Sequence, residues 1–432
     1  MNPLVQQLQQ ALVPYQPAAG PLEICIAFSG GLDSRVLLEL AWQLQQQTPE
    51  QYQLRALHIN HQLSPNADHW ADFCQQTCEA RALPFSQFQV DTRNYPGASL
   101  EARARKARYQ VFSEHLGPGE LLLQAHHQKD QAETLLLRLL RGAGTQGLAS
   151  IPACRPLGQG QLVRPLLNTP REELEAFARS NQLQWVEDDS NQQDHFDRNY
   201  LRLNILPLLA KRFPAAEQNL ALSAQLAGEA QQLHQDLAEL DLVKTLSTSN
   251  DCLSIPALLE LPNYRRSNLL RVWLHQRQLP LPGLHHWQQL NHLCQARQDA
   301  QPLVEWGESN HRIQARRFQN RLYIEAASHF QPLPENWQTT WNNQSPLTTP
   351  CGPIKLQLRN TQTGETPQQL TITTRQGGEK MRLLNRGTRD IKRLLQERNL
   401  PPWQRQQLPF IWHQGQLIAV GDQLIAEGWE GL

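Results

Sequence analysis

Ser29-Gly30-Gly31-Leu32-Asp33-Ser34 decides the fold of this chain. It follows a short apolar run, Ile24-Cys25-Ile26-Ala27-Phe28, and opens a second, Val36-Leu37-Leu38. The first run reads as a buried parallel strand. The second begins an amphipathic helix, with Leu37, Ala41 and Leu44 at helical spacing. The stretch is thus a strand, a tight glycine loop and a helix N-terminus. Such a loop turns free backbone N–H groups and the positive end of a helix dipole toward an anion. Adjacent glycines let the backbone come close, and Ser29 and Ser34 add hydroxyl donors. Asp33 is out of place in a phosphate nest unless a cation shares it. Mg²⁺ held by this carboxylate and phosphate oxygens accounts for it. The loop is neither G-x-x-x-x-G-K-S/T nor G-x-G-x-x-G.

Working outward, strand and helix signals alternate. Leu54 to His61 reads as a second strand and 66–82 as a helix. Pro84 to Val90 reads as a third strand, and Ser99 to His115 as a helix carrying Arg103, Arg105, Lys106 and Arg108. Leu121 to Ala125 is a fourth strand ending in His126-His127, with a helix over 131–141. This pattern predicts a doubly wound α/β sheet, whose ligands bind outside the carboxyl ends of the strands. A glycine-rich loop over 141–147 follows, then a helix capped by Thr169 with Pro170 at its first position.

His126-His127-Gln128-Lys129-Asp130-Gln131-Ala132-Glu133-Thr134 is the second signal. Asp130 and Glu133, three apart, share one helical face. Two carboxylates there suit an ammonium group, or one serves as a general base; an ordinary acidic helix start is the plain alternative. Arg198 and Arg202, four apart after the Asp189-Ser190-Asn191 turn, suit bidentate clamping of phosphate. Cys74 and Cys78 are spaced C-x-x-x-C and read as helix packing rather than metal ligands. His58, His61, His126 and His127 read as polar strand ends rather than a zinc set.

The Ser29–Ser34 pattern resembles the pyrophosphate (PP) loop of the N-type ATP pyrophosphatases, which split ATP into AMP and pyrophosphate. The resemblance narrows to the bacterial tRNA(Ile)-lysidine synthases through several stretches. These are Leu57-His58-Ile59-Asn60-His61 with Leu63-Ser64, the Arg103–Arg108–Tyr109 helix, Ala125-His126-His127 with Asp130 and Glu133, Asp189-Ser190-Asn191 with Arg198-Asn199, and Pro401-Pro402-Trp403. Lys129 departs from the family, which often has an acid there. The resemblance implies a C–N bond-forming ligase that uses ATP and Mg²⁺. It would join free L-lysine to the wobble cytidine of tRNA(Ile) with a CAU anticodon, through an adenylated cytidine. It implies ATP binding by Ser29, Gly30, Gly31, Leu32, Asp33, Ser34, His58 and His126, with Mg²⁺ at Asp33. It implies lysine binding by Asp130 and Glu133, and catalytic roles for Asp33, Asp130, Glu133, Arg198 and Arg108. The rivals are a thiolase on the same fold, against which the missing C-x-x-C pairs argue, and a non-catalytic tRNA-binding protein, against which the intact acids argue.

The 432 residues are too many for one core. The expected division is a PP-loop catalytic domain over 1–214, a helical connector over 215–245, a helical tRNA-binding middle module over 246–330, a linker over 328–350, and a small α+β tRNA-binding domain over 351–432. Lys+Arg and Asp+Glu are 40 each, which argues against a uniformly basic nucleic-acid binder but leaves room for local patches. One such patch lies in 371–407, where Arg386, Arg389, Lys392 and Arg393 suit phosphate contacts. In the middle module Leu258, Leu259, Leu269, Leu270, Val272 and Trp273 are the expected core. Neither a signal peptide nor a membrane span is evident, and seven scattered cysteines fit a reducing cytoplasm. A homodimer is compatible with the sequence.

Overall fold

The computed structural model describes residues 2–432 except 97–98, 188–195, 248–250, 298–299, 301 and 309–310. The Asp189-Ser190-Asn191 turn lies outside the described residues. The chain forms two compact units, Met1–Leu233 and His234–Leu432.

The first unit runs α1 (Pro3–Leu12), β1 (Leu22–Ala27), α2 (Leu32–Gln47), β2 (Tyr52–Asn60), α3 (Ala67–Glu79), β3 (Phe85–Gln89), α4 (Leu100–His115), β4 (Leu121–Leu123) and α5 (Gln128–Leu140). It continues with α6 (Thr145–Leu148), the hairpin β5 (Cys154–Leu157) and β6 (Gly160–Val163), α7 (Arg171–Ser180), α8 (Asp197–Tyr200), a π-helical turn over Leu201–Ile205 and α9 (Leu206–Arg212). The sheet order is β3-β2-β1-β4-β6-β5, parallel throughout except for the β5–β6 hairpin. Strands buried on both faces need unbroken apolar runs, which is why β1 and β4 read so plainly. One face packs Ile24 and Ile26 against Leu37 and Leu40 of α2, Leu8 of α1 and Phe177 of α7. The other packs Cys25, Leu57 and Leu122 against Phe112 of α4. Strand order reverses at β1, which has β2 on one side and β4 on the other. A crevice at this switch point is where such sheets hold ligands.

Four sequence readings are corrected here. Helix α5 begins at Gln128, three residues before its expected start, so Asp130 lies in its first turn. The glycine-rich stretch 141–147 partly winds into α6. The β5–β6 hairpin was not expected; Pro156 and Gly160 break its strand pattern. Thr169 does not cap α7, which starts at Arg171; its hydroxyl instead accepts from Gln7 Nε2 at 2.9 Å.

Helix α10 (Ala216–Thr245) follows. The second unit begins with β7 (Cys252–Ser254), α11 (Ile255–Glu260), α12 (Asn263–Gln276), α13 (Leu284–Gln295), β8 (Leu303–Trp306), β9 (Ile313–Phe318) and β10 (Arg321–Ala326). The expected hairpin over 312–325 is present as β9–β10, but it belongs to a four-stranded sheet, β7-β10-β9-β8, on which the helices pack. Leu258, Leu269, Leu270, Val272 and Trp273 are buried, whereas Leu259, one helical step round from Leu258, faces solvent.

Next come β11 (Gln338–Trp341), β12 (Leu347–Thr349), β13 (Gly352–Ile354), β14 (Leu358–Asn360), β15 (Leu370–Thr373), β16 (Lys380–Leu383), β17 (Gly387–Asp390), α14 (Ile391–Glu397) and α15 (Pro402–Gln407). The chain ends in β18 (Phe410–His413), β19 (Gln416–Val420), β20 (Leu424–Ile425) and β21 (Trp429–Gly431). A five-stranded antiparallel sheet has the order β11-β15-β18-β19-β20. The stretch 328–350 is therefore not a linker throughout: its Thr-rich β11 pairs with β15. Trp403 of α15 meets Tyr323 and Phe330 edge-on, with ring centroids 5.3 and 5.4 Å apart.

Candidate active site

The loop after β1 is held by its own serines. Ser29 N–H donates to Ser34 Oγ at 3.2 Å, the two hydroxyl oxygens are 3.0 Å apart, and Ser34 Oγ donates to the Gly31 carbonyl at 3.0 Å. Gly30 has φ +84°, and a Cβ there would lie 3.0 Å from both Cys74 Sγ and Val186 Cγ2. Only glycine fits that turn without strain. Helix α2 starts at Leu32 with no side-chain cap, which leaves its first N–H groups for an anion. Asp33 sits in that first turn, and its Oδ1 is buried without a hydrogen-bond donor.

Across the switch point, α5 brings His127, Asp130 and Glu133 to the same place. His127 Nε2 lies 3.6 Å from Asp33 Oδ2 and 3.6 Å from Asp130 Oδ2. Asp130 Oδ2 also accepts the His127 backbone N–H at 3.0 Å. Burial alone would lower the His127 pKa, but Asp33 and Asp130 outweigh it and raise it above the ordinary value. Burial would likewise raise the Asp130 carboxyl, and His127, Arg198 and His126 together hold it at about 2.

Arg198 and Arg202 close the group. Arg198 donates from Nε to Glu133 Oε2 and from Nη2 to Asp130 Oδ1, both at 2.7 Å. Arg202 donates from Nε to Glu133 Oε1 at 2.6 Å and from Nη2 to Oε2 at 3.0 Å. Glu133 is wholly enclosed, at 0% exposure. The arginines thus grip the two carboxylates, the very groups read from the sequence as an ammonium site. Burial works against both guanidinium charges, and the two acids more than restore them.

The rim is lined by neutral imidazoles. His58 Nδ1–H donates to the Phe28 carbonyl at 2.9 Å, which leaves only Nε2 for a ligand. Arg108 Nε donates to His61 Nε2 at 3.3 Å, so Arg108 stands with His61 and not with the acidic pair. Burial lowers His61 to about 4 and His126 to about 3. The sequence reading missed Arg164, buried at the end of β6. Its Nε–H donates to His126 Nδ1 at 3.0 Å, and its Nη2 reaches Tyr109 Oη at 3.3 Å and Gln124 Oε1 at 3.4 Å. Because Nδ1 accepts, the proton of neutral His126 is on Nε2. Nothing local announces Arg164: it stands between an apolar strand and Pro165.

Cys74 and Cys78 are buried free thiols, and burial pushes Cys78 up to about 12. In the second unit Arg386 and Arg393 both pair with Glu397, at 2.9 and 3.3 Å, while Arg389 and Lys392 are exposed.

Three family models match the chain: a PP-loop domain over residues 2–209, a TilS substrate binding domain over 253–323, and a TilS substrate C-terminal domain over 370–432. The chain is 42% identical to the tRNA(Ile)-lysidine synthase of Pseudomonas aeruginosa, covering 97% of this chain and 93% of that one. It is 41% identical to that of Coxiella burnetii, over 94% and 90%. Among solved structures, the U34-tRNA thiolase of Methanococcus maripaludis matches 52% of this chain and 78% of its own, with a TM-score of 0.43 at 15% identity. No helix among the described residues is long and apolar enough to cross a membrane.

Proposed function

The chain belongs to the tRNA(Ile)-lysidine synthase family, and on that premise we propose how its residues divide the work of a tRNA-modifying ligase. The substrates in this reading are ATP, free L-lysine and tRNA(Ile) with a CAU anticodon. The ATP phosphates lie on the Ser29–Ser34 loop and the α2 N-terminus. Asp33 Oδ1, a buried acceptor without a donor, fits a hard cation. Mg²⁺ held there with the phosphates supplies charge neutralisation at the leaving pyrophosphate. The cytidine O2 attacks the α-phosphorus, pyrophosphate leaves, and the base is adenylated. The lysine ε-amine then attacks the activated ring carbon and expels AMP.

Asp130 and Glu133 take different parts in this scheme. Asp130 keeps acceptor capacity at the site and receives the ammonium. Glu133, gripped by three guanidinium N–H groups, acts through the arginines. With a pKa of about 2, Asp130 is a weak proton acceptor. Its role is therefore charge stabilisation, and the amine passes its proton to a better base or to water. Arg198 reaches either an acid or the departing phosphate, and Arg108 with His61 borders the base. In the second unit Arg386, Arg389, Lys392 and Arg393 contact tRNA phosphates.

The observation that carries this reading is the convergence of Asp33, His127, Asp130, Glu133, Arg198 and Arg202 at the switch point beside an anion loop. The test incubates the protein with ATP, the tRNA and each amino acid in turn, then analyses the nucleosides by mass. Lysine alone should be incorporated. A sulfur-bearing product, or no adduct, would reject the reading. Asp33→Ala should abolish AMP formation while the protein stays folded and binds tRNA; AMP release at the wild-type rate would remove Asp33 from the ATP site.

A further inference from the structure

An open surface groove of about 640 Å³ lies beside the active site, between α4 and the β5–β6 hairpin. Arg105, Lys106, Tyr109, Gln110, Ser113 and Arg155 line it. Arg105 and Arg155 both lie over the Tyr109 ring, with their guanidinium carbons 5.0 and 4.6 Å from its centroid. Among the described residues neither arginine, nor Lys106, forms an ion pair; the arginine pairs nearest along the chain are Arg93–Asp91 and Arg141–Asp197. Like charges gathered around one ring without a directly paired acid leave a positive potential. Tyr109 registers that potential. Burial pushes its phenol up, and Arg105, Arg164 and Arg155 reverse the effect and take it below its ordinary value.

We propose that this pocket seats phosphodiester groups of the RNA strand next to the reacting base. The inference rests on the functional reading above. Guanidinium forks and an ammonium match phosphate oxygens, which stay ionised at every physiological pH. Tyr109 forms a wall shared with the active site: its hydroxyl donates to Gln124 Oε1 at 3.1 Å and accepts from Arg164, which holds His126. A strand with its base in the crevice therefore passes this pocket within a nucleotide or two. In the proposed function the ATP triphosphate occupies the loop after β1. In the sheet order β1-β4-β6-β5, the hairpin strand β5 is three positions from β1, roughly 14 Å at the usual strand spacing. The hairpin side of the pocket is thus set away from phosphates bound at that loop.

The test uses the full chain with Arg105→Gln, Lys106→Gln and Arg155→Gln combined. Binding of tRNA and of its anticodon stem-loop is followed by fluorescence anisotropy across a salt series. Single-stranded RNA contributes about 0.7 to the salt slope per phosphate neutralised. The variant's slope should fall by about 2, and its affinity roughly ten- to a hundredfold at low salt. The KM for ATP and the ATP-induced rise in unfolding temperature should match wild type. Unchanged affinity and slope for both RNAs would overturn the proposal. A raised KM for ATP with unchanged RNA binding would overturn it too and assign the pocket to the nucleotide. If wild type itself bound neither RNA, the functional reading would fall and this inference with it.

Discussion

Replacing Glu133 with Gln tests the arginine clamp most directly. Glu133 accepts three guanidinium N–H groups, at 2.6, 2.7 and 3.0 Å, and is wholly enclosed. Gln keeps one of its acceptor oxygens and turns an N–H₂ toward the guanidinium groups. Each charge-assisted hydrogen bond contributes about 1.5–3 kcal/mol, and breaking a buried pair from one side costs about 3–5 kcal/mol. Arg198 and Arg202 retain side-chain exposures of 25% and 20%, so water recovers part of the loss. The lower end, about 3 kcal/mol, is the expected cost. For a unit of this size, roughly 2–4 °C of unfolding temperature accompanies each kcal/mol, so a drop of about 6–12 °C should follow. Scanning calorimetry of the full chain gives the value, read on the transition that ATP shifts. Arg202→Met alone and combined with Glu133→Gln completes a cycle, and the double variant should lose clearly less than the sum. A drop under about 2 °C, or additivity within about 0.5 kcal/mol, would show that the clamp does not hold the domain. In the same variant, pyrophosphate release should persist while lysine transfer falls roughly ten- to a hundredfold, the equivalent of one charge-assisted bond.

Gly30→Ala should destabilise the first unit by about 1–3 kcal/mol and weaken ATP binding, because φ is +84° and two neighbours crowd the new methyl; wild-type ATP affinity in equilibrium dialysis would contradict this. Replacing Arg386, Arg389, Lys392 and Arg393 with Ala should weaken tRNA binding and flatten its salt slope while leaving the ATP-induced stabilisation intact, and an unchanged slope would clear this segment of any tRNA role. The Asp130 carboxyl is depressed from 3.8 to about 2, so its contribution is complete above pH 4 and disappears as pH falls through 2. At about 1.4 kcal/mol per unit this contribution is about 2 kcal/mol. Asp130→Asn should flatten the acid limb of the stability profile over that window, and a limb as steep as wild type would place the titration elsewhere. His127, raised by Asp33 and Asp130, contributes in the opposite sense: its share is full below the ordinary histidine range and fades as pH rises past it.

What could be read from the sequence was local. Ser29–Ser34 carries strand, loop and helix start in one run, so its shape and its anion preference come together. Asp130 and Glu133 could be paired because three residues set a helical face. Their partners could not be assigned that way: Arg198 lies 65 residues beyond Glu133, and only the packed structure shows that its fork meets carboxylates. Arg164 was missed because its partners come from elsewhere in the chain, His126 from the loop after β4 and Tyr109 from helix α4. The β5–β6 hairpin was hidden by Pro156 and Gly160, and β11 by the Pro- and Asn-rich sequence around it. The second sheet was foreseen only as a hairpin because β7 and β8 are three and four residues long and offer little alternation to read.

The grip of Arg198 and Arg202 on Asp130 and Glu133 has a kinetic consequence. Two cations and two anions cancel, so the closed clamp offers an arriving ammonium almost no net attraction. A phosphate that draws one guanidinium away leaves a carboxylate with a charge to fill. The same exchange that seats the anion uncovers a place for the cation. Under the proposed function, a site wired this way would take its substrates in a set order, nucleotide before amine. Lysine should therefore bind weakly to the free protein and tightly once the base is adenylated. In initial-rate kinetics that order should appear as the absence of any inhibition by excess lysine at low ATP, and lysine inhibition there would overturn it.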